Sequence, residues 1–412
     1  MVSQQQMKIA IIGLGYVGLP LALAFSEHFQ TVGFDISKQR VNELNKGFDR
    51  TGEVDQTSLI EATLACTSNE NDLAECNFFV VTVPTPIDSL CKPDLGPLKS
   101  ASELVGGFIK KDDIVVYEST VYPGVTEDFC LPILEQASSL VGKKDFNIGY
   151  SPERINPGDK VNTVKTIVKL VAGDTIESRV KIKSVYDKII IAGTFEVASI
   201  KVAECCKCFE NTQRDLNIAL MNNLSELCSK IGISTHDVID AGKTKWNFLP
   251  FEPGLVGGHC IGIDPYYLIY MGEMLGVNVE LIKMARDVNE NVVDRINSQV
   301  INHFKNAKVK ILICGYSFKE NCPDVRNSKI KDLAESFKTA SHNVDIYDPI
   351  ADTTEVISNY ENLSSEYDLI IFAVKHVCFE YEFIKIKSLL RPKGKIYDLK
   401  RMFKADLSDW SL

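Results

Sequence analysis

Lys8-Ile9-Ala10-Ile11-Ile12-Gly13-Leu14-Gly15-Tyr16-Val17-Gly18-Leu19-Pro20-Leu21-Ala22-Leu23-Ala24-Phe25 reads as a β-branched apolar strand, a glycine turn and a buried helix in direct succession. Val32-Gly33-Phe34 then reads as a second strand, ending at Asp35 about 20 residues beyond the turn. A dinucleotide-binding unit requires this order. The glycines at 13, 15 and 18 let the chain turn sharply and approach a pyrophosphate, and a carboxylate at the tip of the second strand holds a ribose diol. Aspartate there repels a 2′-phosphate, so NAD is expected in preference to NADP. Gly13, Gly15, Tyr16, Val17, Gly18 and Asp35 are the candidate cofactor-binding residues. Arg40, about one helical turn further on, reads either as a flank to the adenosine or as an ordinary exposed arginine.

Outward from this unit, strand-like runs recur at 78–83, 114–118 and 146–150. Each gives way to a loop of turn formers: Pro84-Thr85-Pro86, Ser119-Thr120-Val121-Tyr122-Pro123-Gly124 and Ser151-Pro152-Glu153-Arg154-Ile155-Asn156-Pro157-Gly158. Ligands of doubly wound sheets bind beyond the carboxyl ends of the strands, so these loops are expected to line one crevice, with Thr85, Thr120 and Glu153 inside it. Turn chemistry alone accounts for a threonine between prolines. It accounts less well for a carboxylate directly after a strand end.

Residues 200 to about 231 contain no proline or glycine and are rich in Ala, Leu, Glu, Lys and Asn, which predicts one long helix. Lys207, Asn211 and Arg214 share a face of it, and the nearby Ala203 and cysteines point to burial of that face. A second helical stretch is predicted at 281–305. Long helices between two α/β units are expected to pack against a symmetry mate, giving a homodimer. From Lys310 a second strand series begins, at 311–314, 343–348, 368–374 and 395–398. Gly315-Tyr316-Ser317-Phe318-Lys319 stands where a glycine fingerprint would be and lacks it. Lys319 and Arg326 read as nucleotide contacts or as ordinary surface residues. The expected fold is α/β: two Rossmann-like doubly wound domains, 1–199 and 306–412, joined by a long central helical region, 200–305.

Between the helical stretches lies Gly254-Leu255-Val256-Gly257-Gly258-His259-Cys260-Ile261-Gly262-Ile263-Asp264-Pro265. Glycines let a backbone approach a ligand closely. If a helical turn begins here, the Cys260 thiol and the Asp264 carboxylate share a face, as a nucleophile and its acid/base partner would. A tight turn around a buried cysteine fits the same residues.

Composition narrows the field. The 412 residues are 45% hydrophobic and 24% charged, ordinary for two or three globular domains. A net charge of −10 disfavours a nucleic-acid partner. No signal peptide and no membrane-length apolar run is apparent. The 12 scattered cysteines lack a disulfide framework, which suggests free thiols in the cytoplasm. Cys205, Cys206 and Cys208 crowd together without a matching ligand pair, so no metal site is expected.

From about Lys8 to about Met402 the chain resembles the UDP-glucose/GDP-mannose dehydrogenase family of nucleotide-sugar 6-dehydrogenases. The resemblance rests on the glycine fingerprint, Pro84-Thr85-Pro86, Glu118-Ser119-Thr120, Ser151-Pro152-Glu153, Lys207 with Asn211, Gly257-Gly258-His259-Cys260 with Asp264, and Phe318-Lys319 before Asp324-Val325-Arg326. It implies Cys260 as nucleophile, assisted by Lys207, Asn211, Asp264, Thr120 and Glu153. Glu153, Lys207 and Asn211, with Arg154, Ile155, Arg214, Gly257, Phe318, Lys319 and Arg401, match substrate contacts. Thr85, Thr120, Arg40 and Arg326 join the cofactor set. The second α/β domain becomes the UDP-sugar-binding one. Ile155-Asn156-Pro157 and His259-Cys260-Ile261 resemble the N-acetylhexosamine branch, which implies a UDP-N-acetylhexosamine substrate, UDP-N-acetylglucosamine first, for surface polysaccharides. Pro157 stands where the UDP-glucose branch has a second glutamate, and Glu252 where many relatives have a basic residue. Alcohol-to-acid oxidation through a Cys260 thiohemiacetal and thioester implies two NAD per turnover. Other sugars in the UDP series, a two-electron hydroxyacid dehydrogenase and a non-catalytic nucleotide binder are the alternatives.

Overall fold

Ile9, Ile11 and Ile12 form a strand because β-branched side chains suit a pleated surface buried on both faces. In the computed structural model, which describes residues 7–155, 161–258, 260–305, 307–364 and 366–412, this strand is β1 (Lys8–Ile12). The His259 and Asn156-Pro157-Gly158 motif positions lie outside the described residues. Packing divides the chain into two units, one reaching to Glu210 and including Tyr266–Val277, the other comprising Asn211–Pro265 and Asn278–Leu412.

The first unit continues with β2 (Gln30–Phe34), β3 (Ala65–Thr67), β4 (Phe78–Val81), β5 (Ile114–Tyr117), β6 (Asn147–Tyr150), β7 (Lys169–Gly173) and β8 (Thr194–Glu196). Their order is β3-β2-β1-β4-β5-β6-β7-β8. All neighbouring pairs are parallel except β6 with β7. The direction reverses between β1 and β4, the switch point at which such sheets bind ligands. One face packs on Leu19, Ala22, Phe25 and Ile182, the other on Leu98, Val105, Leu134 and Ala203. The edge strands β3 and β8, three residues each, carry too little apolar pattern to be recognised in the sequence, and the sequence reading also missed β7, an interior strand between β6 and β8.

The second unit has β9 (Lys310–Cys314), β10 (Asn343–Tyr347), β11 (Tyr367–Phe372), β12 (Leu390–Asp398) and β13 (Trp410–Ser411), in the order β10-β9-β11-β12-β13 and all parallel. Its first turn repeats that of the first unit despite the missing fingerprint. Gly13 and Gly315 both take positive φ, +98° and +97°, a region costly to any residue with a Cβ. Their N–H groups donate to the carbonyls of Phe34 and Tyr347, each at 2.8 Å. Leu14 N–H donates to Asp35 Oδ2 at 2.9 Å, and Tyr316 N–H to Asp348 Oδ2 at 2.7 Å. Asp348 is otherwise committed: its Oδ2 also accepts from Ser317 N–H and lies 3.1 Å from His376 Nε2, and Oδ1 accepts from the N–H groups of Ile350 and Ala351. No oxygen is left for a ribose.

The predicted long helix spans Ile200–Ile231 and runs from one unit into the other. The stretch predicted at 281–305 is not one helix. It resets at Asn291 (φ −73°, ψ −4°) into Glu280–Glu290 and Val292–His303, where a weak helix former meets two β-branched valines.

Candidate active site

The NAD-type turn is held from behind. Asp35 Oδ2 takes the Leu14 N–H, and Oδ1 takes the Ser37 N–H at 2.8 Å. A Cβ on Gly15 would meet no atom within 4 Å, so open space faces the turn, whereas a Cβ on Gly18 would overlap the Gly13 carbonyl. The turn therefore fits a closely approaching pyrophosphate. The exposed reading of Arg40 is corrected: it is 6% exposed. Its Nε donates to the Leu14 carbonyl at 2.9 Å, and its guanidinium pairs with Asp49 at 2.8 Å. Burial alone would raise the Asp49 carboxyl. The Thr51 hydroxyl and N–H, together with Arg40, outweigh burial and hold it below its ordinary value.

Past β4 and β5, the Thr85 hydroxyl donates to the Thr120 carbonyl at 2.6 Å, so the two candidate threonine loops are tied together. The Tyr267 hydroxyl donates to the Thr85 carbonyl. The Thr120 loop is also fixed to the long helix: Glu204 accepts from the N–H groups of Gly124 and Thr126 at 2.6 and 2.9 Å, and Cys208 Sγ contacts the Val121 carbonyl at 3.2 Å. Burial pushes the Glu204 carboxyl up to about 7 against those two N–H groups. Lys207, between Glu204 and Cys208, is buried like Ala203, as the helix face predicted. Cys205 is exposed, so the cysteine cluster serves packing only through Cys206 and Cys208. Arg214 is exposed.

Glu153 follows β6 and is buried. Its Oε1 accepts from Ile155 N–H, and its Oε2 has no hydrogen-bond partner among the described residues. Arg154 is held by Glu210 at 2.6 Å and by the Val168 carbonyl at 2.8 Å.

In the second unit, the N–H of Asp264 donates to the Cys260 carbonyl at 2.8 Å, closing the helical turn that opens helix Asp264–Met274. The thiol and the buried carboxylate thus share a face, with Cys260 partly exposed. Asn211 Nδ2 donates to Asp264 Oδ2 at 2.5 Å. The glycines before the thiol are required by close approach. A Cβ at Gly257 would stand 2.6 Å from the Asn327 carbonyl oxygen, and one at Gly258 (φ +84°) 2.8 Å from the Phe318 ring. Asn222 fixes Gly254 from both sides, its amide nitrogen donating to the carbonyl at 3.0 Å and its oxygen accepting the N–H at 2.8 Å.

Gly257, Phe318 and Lys319 line a cleft with Glu320, Lys329, Lys375 and Lys400; Lys329 is held by Glu290 and Asp332, and the excess of lysines over the one lining carboxylate suits a diphosphate. Lys400 is a residue that the sequence reading passed over for its neighbour. Arg401 adopts φ +48°, and its guanidinium pairs with Asp240 at 2.7 Å, while Lys400 faces the cleft. Burial pulls the Lys400 ammonium below the usual lysine range. Arg326 pairs with Asp324 at 2.8 Å, its side chain more than half exposed.

A cofactor turn on one sheet, a lysine-lined cleft beside the second and a long helix carrying a buried lysine fit an NAD-dependent dehydrogenase that works on a nucleotide-linked substrate. The chain belongs to the UDP-glucose/GDP-mannose dehydrogenase family, whose NAD binding domain matches residues 7–190, central domain 201–291 and UDP binding domain 312–405. It is 48% identical to UDP-N-acetyl-D-glucosamine 6-dehydrogenase of Salmonella typhi, over 98% of both chains. It is 46% identical to the enzyme of the same name from Pseudomonas aeruginosa, over 99% of this chain and 100% of that one. Among solved structures, the UDP-D-ManNAc dehydrogenase of Pyrococcus horikoshii superposes with a TM-score of 0.88 at 28% identity, over 97% of this chain and 96% of that one.

Proposed function

We propose that this protein oxidises the 6-hydroxyl of UDP-N-acetylglucosamine to the carboxylate, in two NAD-dependent steps joined by a covalent link to Cys260. The observation that carries this reading is the Cys260–Asp264 turn, with Asn211 bonded to its carboxylate. The 46–48% identity to two UDP-N-acetyl-D-glucosamine 6-dehydrogenases supports the choice of sugar. Residues Gly13 to Gly18 and Asp35 would hold the cofactor, with Thr85, Thr120 and Arg326 contributing. NAD supplies a hydride acceptor for each of the two oxidations.

The chain's own groups do the rest. One of the two carboxylates, Asp264 or Glu153, takes the single hydroxyl proton as the alcohol becomes an aldehyde, and the pair later positions water. The Cys260 thiolate adds to the aldehyde carbon and makes it tetrahedral, without which that carbon does not release a second hydride. The thiohemiacetal oxygen carries negative charge, which the Lys207 ammonium and the Asn211 amide stabilise. Water then cleaves the thioester, giving the acid and a free thiol. Arg154, Ile155, Arg214, Gly257, Phe318, Lys319 and Arg401, with Lys400 added, form the proposed substrate set, and residues 306–412 its UDP-binding domain.

The active species is proposed to be a homodimer. Val202, Phe209, Leu220, Leu227 and Ile231 are exposed apolar residues on the long helix. Their separations of seven, eleven, seven and four residues place them in one stripe at 100° per residue. Light scattering of the active enzyme should give twice the 45.9 kDa chain mass, and Leu220→Glu should lower it. A monomer at full activity would remove the dimer. That none of the twelve cysteines is in a disulfide supports a cytoplasmic setting.

The substrate reading is tested by NADH formation with UDP-glucose, GDP-mannose and UDP-linked N-acetylglucosamine, N-acetylgalactosamine and N-acetylmannosamine, each with NAD and with NADP. UDP-N-acetylglucosamine with NAD is expected to give the highest kcat/KM. A site group left unpaired where the acetamido is missing costs about 1–3 kcal/mol, so UDP-glucose should fall one to two orders of magnitude below UDP-N-acetylglucosamine. Preference for UDP-glucose would overturn the branch, and preference for an epimer would correct the sugar.

A further inference from the structure

Directly beneath Glu153 lies a buried charge cluster outside the predicted machinery. Lys169, the first residue of β7, is 5% exposed. Its Nζ donates to Glu118 Oε2 at 2.6 Å and to the Pro152 carbonyl at 3.1 Å. Glu153 Oε2 is 3.9 Å from the same ammonium. Glu118, just past β5, is 1% exposed, and its other oxygen accepts from the Tyr186 hydroxyl at 2.5 Å. Burial pushes the Glu118 carboxyl above its ordinary value; Lys169 opposes this and the Glu153 carboxylate adds to it. Arg154, the other cation on this loop, is turned away onto Glu210.

One buried cation thus serves two buried carboxylates. Its short contact goes to Glu118, which also has the tyrosine. Glu153 keeps one oxygen unbonded and feels the ammonium only at longer range. A structural ion pair needs no third charge, and burying one adds a desolvation cost that the 3.9 Å contact repays only in part. Lys169 also grips the Pro152 carbonyl, so it fixes the backbone that presents Glu153.

We propose that Lys169 is a positioning residue for Glu153, setting the orientation and charge of that carboxylate, with Glu118 as the competing partner that tunes how much of the ammonium's charge Glu153 receives. This rests on the reading that Glu153 handles protons in the reaction. The groups facing Glu153 in this pocket are Lys169 from β7, Glu118 from the end of β5, and Tyr186 from helix Ile176–Tyr186; the Arg154–Glu210 pair borders it.

Two substitutions should move the reaction's pH dependence in opposite directions. Lys169→Met removes the charge that favours the Glu153 carboxylate. The acid limb of the kcat profile should move to higher pH, and kcat at pH 7 should fall about tenfold with KM nearly unchanged. Glu118→Gln removes the competitor, so the acid limb should move to lower pH. Lys169→Arg should restore the acid limb toward its original position. In a Glu153→Gln background, Lys169→Met should lose less than about twofold further. A Glu153→Gln enzyme with unchanged kcat would overturn the Glu153 reading and this proposal with it. An impaired Glu153→Gln enzyme in which Lys169→Met costs its full factor again would overturn this proposal alone. If Lys169→Met does not fold, the Glu118→Gln profile decides: an unmoved or upward-shifted acid limb overturns the proposal, and a downward shift sustains it.

Discussion

Cys260→Ser is expected to lower formation of the uronic acid by about 10³-fold or more, equivalent to about 4 kcal/mol of transition-state stabilisation. The replacement changes one atom at a partly exposed position in a turn closed by backbone bonds, so the fold and UDP-sugar affinity should survive. What is lost is a nucleophile with an accessible anion. A serine hydroxyl is far harder to ionise near neutrality and does not form a thioester. Steady-state NADH production and product quantification check this, with isothermal titration of the UDP-sugar as the binding control. Acid produced by Cys260→Ser at the normal rate would rule out covalent catalysis through this residue.

Lys207→Met should reduce kcat by about 10²–10³-fold with a much smaller change in KM, because its cation is needed where charge develops in the transition state. Lys207 is buried on the long helix, and the helix residues on either side of it anchor the Thr120 loop through Glu204 and Cys208. A lysine carried on a segment anchored in this way needs little backbone movement during the reaction. Lys207→Arg should not restore the rate, since the planar guanidinium does not reproduce a compact point charge. A Lys207→Met enzyme within about threefold of the original kcat would exclude a role in oxyanion stabilisation.

The parts of this architecture legible in the sequence are local. The strand, turn and helix at the start of β1 declare themselves within about 30 residues through glycine spacing and apolar pattern. The long helix is legible because nothing in it interrupts helix propensity, and its observed bounds match those predicted. The Cys260–Asp264 turn was legible as a condition, that a helical turn should begin there, and the Asp264 N–H bond to Cys260 meets it.

The rest depends on partners far apart in sequence. Arg40 is buried because Asp49 and the Leu14 carbonyl receive it, which a lone arginine after a strand does not reveal. Lys169 and Glu118 are 51 residues apart and meet only because β5, β6 and β7 are adjacent in the sheet. That Lys400 lines the cleft beside a left-handed backbone at Arg401 is invisible in a Leu-Lys-Arg-Met run. The second glycine turn was missed because only its first glycine remains, and Gly315 with Asp348 suffices to build it.

The measurement that tests the account most directly is stoichiometry. Limiting UDP-N-acetylglucosamine is converted to completion with excess NAD, and NADH is read by the absorbance of the reduced nicotinamide against the uronic acid quantified in the same sample. The four-electron route through a Cys260 thioester predicts about two NADH for each acid formed and no free aldehyde. One NADH per product, with an aldehyde released, would contradict it.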